Sequence, residues 1–119
     1  MSNKQTGDQG EDLACEYLQK QGYKILERNY RIRGGEIDIV ARDGDTLVFV
    51  EVKARSSHEF GPPSESMTPW KIKALVKCAM FYVSKINWGN KEYRLDFVSI
   101  DFADNKENPV IELIRNITE

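Results

Sequence analysis

From Gly35 to Arg55 the chain reads GEIDIVARDGDTLVFVEVKAR. Two runs rich in Ile, Val and Phe flank Asp43-Gly44, a dipeptide that gives one of the strongest short-range hairpin signals. The stretch predicts an antiparallel pair of strands. Three charged residues, Asp38, Glu51 and Lys53, interrupt runs that otherwise belong in a core. Residues two apart in a strand share a face. Glu51 and Lys53 therefore lie with Leu47 and Phe49, while Val48, Val50 and Val52 take the other face. Glu36 and Asp38 likewise share a face, with Ile37 and Ile39 opposite. If Arg42 pairs with Asp45, Glu36 stands opposite Glu51 and Asp38 is its diagonal neighbour. If Arg42 pairs with Leu47, Asp38 stands directly opposite Glu51. Either register puts Asp38, Glu51 and Lys53 on one face, with opposed Cβ atoms ~5 Å apart.

Like charges opposed on a sheet are destabilising, and burial raises the cost. A hard divalent cation such as Mg²⁺ or Mn²⁺ removes it. Mg²⁺ takes one or two protein carboxylates together with water at ~2.1 Å. For each acid taken singly, an exposed polar face with a Glu–Lys pair is the simpler account. The constellation as a whole, set between valine runs, favours the cation.

The remaining segments supply a frame for this pair. Thr6 and Gln9 form a capping box for a helix beginning near Gly7, with Leu13, Ala14, Tyr17 and Leu18 as its apolar stripe and Gly22 at its end. YKILERNYRI reads as a strand, broken by Arg33-Gly34-Gly35. Residues 55–67, RSSHEFGPPSESM, read as an irregular loop. Its part from Ser56 to Ser66 is expected to border the site and to be mobile without ligand. Thr68 and Pro69 start a second helix, with Met67 and Ile72 as a hydrophobic staple. Ile72, Leu75, Val76, Ala79, Val83 and Ile86 are its expected core stripe. YRLDFVSIDF and NPVIELIRNI complete the set as strands. The order α-β-β-β-α-β-β predicts a mixed sheet with helices packed on it.

Composition narrows the classes. A chain of 119 residues, 40% hydrophobic and 30% charged, is expected to form one soluble domain. No apolar run approaches the ~20 residues of a membrane span, and the N-terminus lacks a secretory apolar region, so a cytoplasmic location is expected. Cys15 and Cys78 lie in the two predicted helices and read as reduced, buried thiols. With His58 the single histidine, a zinc site of the His/Cys kind is not expected. The net charge of −2 does not announce a nucleic-acid binder. However, Arg28, Arg31, Arg33, Arg42 and Arg55 crowd the same strands, and Lys73 and Lys77 lie one turn apart on the second helix. They could track phosphates locally, with ordinary solvated surface as the alternative. Tyr30, Phe60 and Trp70 could stack on bases, against core packing or surface anchoring.

Asp38 followed by Glu51-Val52-Lys53 has the form of the D…ExK motif of restriction-endonuclease-like nucleases, with Ile37 where a proline usually precedes the aspartate. In order, GEDLACEYL, GYKILERNYR, GGEIDIVARDGDTLVFVEVKAR, FGPPSES and RLDFVSI resemble the YraN family of small bacterial proteins, roughly over residues 5–115. That family is similar to archaeal Holliday-junction resolvases. The resemblance implies a single nuclease-like domain over 1–119: an α/β, restriction-endonuclease-like mixed sheet flanked by helices, with an αβββαβ core. It also gives Glu11 a role in completing the metal site. A first-turn glutamate favoured by the helix dipole is the alternative for Glu11.

The expected chemistry is phosphodiester hydrolysis. Asp38, Glu51, Glu11 and the backbone carbonyl of Val52 would hold Mg²⁺ or Mn²⁺, and Lys53 would orient water and balance transition-state charge. Glu36 would stand behind them or at the rim. Arg31, Arg33, Arg55 and Lys71 are candidate substrate contacts, Lys71 with a solvated helix position as its alternative. Glu65 is a weaker candidate. The expected activity is a structure-selective endonuclease on branched or flapped DNA. The alternatives are a nucleic-acid- or partner-binding module that keeps the fold without turnover, and an RNA-directed or repair accessory factor. By analogy with resolvases, a homodimer is expected.

Overall fold

The structure, a computed structural model, describes residues 3–57 and 67–118. Its order is α1 (Asn3–Lys20), β1 (Lys24–Ile32), β2 (Gly35–Asp43), β3 (Thr46–Arg55), α2 (Pro69–Lys85), β4 (Tyr93–Asp101) and β5 (Val110–Ile114). The α-β-β-β-α-β-β order read from caps and periodicity is the order observed, and it contains the αβββαβ core that the resemblance implies. The loop expected to border the carboxylates falls mostly on residues 58–66, which lie outside the described residues together with His58, Phe60 and Glu65.

The five strands form one sheet in chain order, β1-β2-β3-β4-β5. Hairpin neighbours run antiparallel, whereas β3 and β4 are parallel, because α2 carries the chain back across one face between them. The β2–β3 register is the second of the two expected, with Arg42 opposite Leu47. Asp43 and Thr46 also pair, so the tight turn is Gly44-Asp45. Gly44, at φ +60°, takes the first central position, which in a II′ turn favours glycine.

Two apolar layers follow from strand alternation. On one face Val48 and Val50 of β3, Ile39 and Ala41 of β2, and Val98 and Ile100 of β4 pack against Ala14 and Leu18 of α1. On the other, Val40, Leu47, Phe49 and Leu95 meet Leu75, Cys78, Ala79 and Tyr82 of α2. Fully burying a Val, Leu or Phe is worth ~1.5–3 kcal/mol, so both helices are held by their apolar stripes. The α1 face also buries Asp96, which bonds the Tyr23 hydroxyl at 2.9 Å and Arg94 Nε at 3.0 Å. Arg94 in turn reaches Asp43 at 2.8 Å. Asp96, part of the RLDFVSI stretch, is therefore a partnered core group.

Three local expectations are corrected. α1 starts at Asn3, so Thr6 is a buried residue inside the helix and not its cap. A favourable cap sequence does not end a helix when the residues before it can continue the same turn. The inward face of α2 is Leu75, Cys78, Ala79 and Tyr82, while Ile86 is 38% exposed. Tyr82 turns inward by packing edge-to-face on Tyr30 and Phe49, which rotates the buried stripe. Finally, Ile37 and Ile39 do not share a face, since Ile37 packs with the α2 layer and Ile39 with the α1 layer. Strict alternation fails at Asp38, opposite Asn29, which sits at φ +55°.

Candidate active site

The β2–β3 ladder runs from Asp43↔Thr46 to Ile39↔Val50 and stops there. One residue further, the Asp38 side chain replaces the backbone ladder: its Oδ2 accepts the Val52 N–H at 2.8 Å. In an extended strand a residue's N–H and C=O point to the same side, so the Val52 carbonyl faces the same gap. Asp38 and Glu51 are in hydrogen-bond contact with each other there, Glu51 donating and Asp38 accepting. The two carboxyls that the register argument paired are thus brought together, where β2 and β3 part.

Burial is the largest influence on both. It raises Asp38 to about 6, against the opposing bond from Val52, with Glu11 and Glu36 adding like charge. It raises Glu51 to about 8, with Asp38 as the next cause. Lys71, and after it Lys53, oppose the rise at Glu51. Near neutral pH the pair therefore shares one proton. A shared proton between two half-buried carboxyls marks a place that a cation can take.

The other candidates separate by position. Lys53 is exposed, on the Glu51 side of β3. Lys71, for which solvation was the alternative, is half-buried in the first turn of α2, and its charge bears on Glu51 ahead of that of Lys53. Thr68 caps that turn through the Lys71 N–H, so the positive end of the helix dipole also faces this region. Glu11 borders the site as expected, but its Oε1 is held by Arg28 Nε at 3.1 Å and Asn29 Nδ2 at 3.0 Å. Among the described residues, no group of three or more His, Cys, Asp or Glu side chains is placed to hold a metal ion.

Most of the arginines near the site have acidic partners. Arg28 pairs with Glu11 and Asp12, Arg31 with Glu36 at 3.4 Å, Arg42 with Asp45 at 3.7 Å and Arg55 with Asp101 at 3.2 Å. Arg33 is exposed in the β1–β2 turn. Arg55 also buries Nε and Nη1 without a hydrogen-bond partner among the described residues. Sequence reasoning missed Asn29, which reaches Glu11 from a left-handed backbone. The signal available was the residue type, since Asn adopts that conformation more readily than other non-glycine residues.

Comparison with known proteins places the chain. The profile described as "Uncharacterised protein family UPF0102" matches residues 10–100. The chain belongs to this family. UPF0102 and YraN are one family, so the sequence resemblance and the profile agree. A UPF0102 protein of Geobacter metallireducens is 48% identical over 119 residues, covering all of this chain and 96% of the relative. One from Carboxydothermus hydrogenoformans is 47% identical over 106 residues, 89% of this chain and 90% of the relative. The UPF0102 match includes every residue of the carboxylate site, from Glu11 through Asp38 and Glu51 to Lys71. Among the described residues, no helix is long and apolar enough to cross a membrane.

Proposed function

We propose that the chain is a metal-dependent, structure-selective DNA endonuclease of the restriction-endonuclease-like type, with Asp38, Glu51 and Lys53 as its D…ExK site. The observation that carries the reading is the meeting of two half-buried carboxyls with raised pKa at the parting of β2 and β3, with Lys53 and Lys71 near them. The similarity of YraN proteins to Holliday-junction resolvases supports the substrate class.

The donor set fits a hard cation: two carboxylates and the Val52 carbonyl, with water completing the shell. Bound Mg²⁺ or Mn²⁺ supplies Lewis-acid polarisation of a phosphate oxygen and a more acidic water. Asp38 and Glu51 release their shared proton to hold the ion. The Val52 N–H keeps the Asp38 carboxylate aimed into the gap. Lys53 orients the attacking water, and Lys71 balances charge on the phosphoryl oxygens from the α2 side. Glu11, held by Arg28 and Asn29, would add negative field beside the pair.

A binding module without turnover is the second reading. It is favoured by the engagement of Glu11 with Arg28 and Asn29. One assay separates the two. Linear, flapped and four-way DNA are incubated with Mg²⁺ or Mn²⁺ and with wild type or Glu51→Gln. We expect metal-dependent cleavage of branched substrates, lowered about 100-fold or more in the variant. Binding of the same substrates without cleavage, or cleavage unchanged by Glu51→Gln, would overturn the endonuclease assignment.

A further inference from the structure

The outward face of α2 is unlike the rest of the surface. Trp70 is 77% exposed, Met80 58% and Phe81 54%. With Lys73, Ala74 and Lys77 they line an open groove of ≈ 780 Å³. Trp70, Ala74, Lys77 and Phe81 follow one another at helical spacing, so they form one stripe. The inward face is already satisfied by Leu75, Cys78, Ala79 and Tyr82. Among the described residues, no packing need explains the stripe.

Charge identifies the occupant. α2 carries Lys71, Lys73, Lys77 and Lys85 and no acidic residue. The whole chain has 17 basic and 19 acidic residues, so the remainder has 13 against 19, a charge of −6 beside +4 on this helix. The arginines near the carboxylates are mostly paired, but α2 concentrates positive charge beside exposed rings. A second copy docked by the same face would set Lys73 and Lys77 against themselves. A polyanion with flat apolar faces meets both features, as single strands do on stacking platforms flanked by cations.

We propose that this face is a track for single-stranded DNA, on which Trp70 and Phe81 stack bases and Lys73 and Lys77 hold intervening phosphates. Trp70 adjoins Lys71, whose charge acts on Glu51, so the track leads from the carboxylate pair along α2. Eleven residues of helix span ~16 Å, about five stacked nucleotides. Its role as a substrate arm rests on the nuclease reading, which names branched or flapped DNA.

The test is binding of a fluorescein-labelled oligo-dT of about 15 nucleotides, followed by anisotropy and tryptophan emission in EDTA, so that no cleavage intervenes. Saturable binding with quenching is expected in the wild type. Trp70→Ala should weaken it at least about fivefold. Lys73→Ala with Lys77→Ala should lower the salt slope by about 1.4. These are surface changes, and unchanged melting confirms the fold. Absence of dT binding, or binding indifferent to all three α2 substitutions, overturns the track. So does tighter binding of oligo-rU, or a dimer in sedimentation that Trp70→Ala dissociates. Strand binding that needs Trp70, without cleavage of any DNA, leaves the track standing and refutes the nuclease reading alone.

Discussion

Asp38 and Glu51 are costly residues in the metal-free protein. Each has a raised pKa, so the folded state holds protons more tightly than the unfolded chain. Their sign is the reverse of a salt-bridged carboxylate. The pair costs nothing below the unfolded values near 4, and stability is lost as pH rises through about 6 and then about 8. Between pH 5 and pH 9 Asp38 accounts for about one pKa unit and Glu51 for about three, and at ~1.4 kcal/mol per unit the loss is on the order of 5 kcal/mol. In metal-free melts the wild type should fall by several degrees over that range, beyond the trend of Glu51→Gln, which should be flatter and at least as stable at pH 8.5. Parallel curves for the two proteins would remove the pair from the account. The pair was legible because the tight turn fixes the register that sets Asp38 across from Glu51. The face of Ile37 was not, since it depends on Asn29 adopting a left-handed backbone across from Asp38. Nor was the position of Lys71, because a helix N-terminus alone does not say which strand it abuts.

At the level of elements, α1 and α2 present the site from opposite faces. α1 lies close on β3 at Gly10, where an added Cβ would stand 2.5 Å from the Ala54 Cβ. Neither group can rotate away, so the helix would have to shift, and Glu11 with it. Gly10→Ala should therefore destabilise by about 1–3 kcal/mol despite the better helix propensity of alanine. A melting temperature equal to or above that of the wild type would show that α1 is not held so tightly. The strands and α2 were readable from alternation, the Gly44 turn and the Thr68-Pro69 cap. The start of α1 was not, because Thr6 can serve equally as a cap or as a buried helix residue. The inward stripe of α2 was displaced for a similar reason: aromatic packing of Tyr82 outweighed a purely aliphatic pattern.

For the whole molecule, a net charge of −2 conceals a separation of charge. Acids gather at the parting strands and on α1, whereas α2 is wholly basic. The order αβββαβ puts the basic helix next to the acidic gap, because the crossover from β3 to β4 must return over that face. Binding of a divalent cation to the folded state alone would then stabilise the entire sheet by mass action. At ~100-fold excess over the dissociation constant this linkage is worth about 2.7 kcal/mol. The most direct measurement is a thermal melt at pH 8 with and without millimolar Mn²⁺, wild type beside Asp38→Asn. The wild type should melt higher with Mn²⁺. Asp38→Asn should be as stable or more stable without metal and should not respond to it. No shift in the wild type, equal shifts in both, or an Asp38→Asn protein destabilised without metal would contradict a cation site at Asp38 and Glu51.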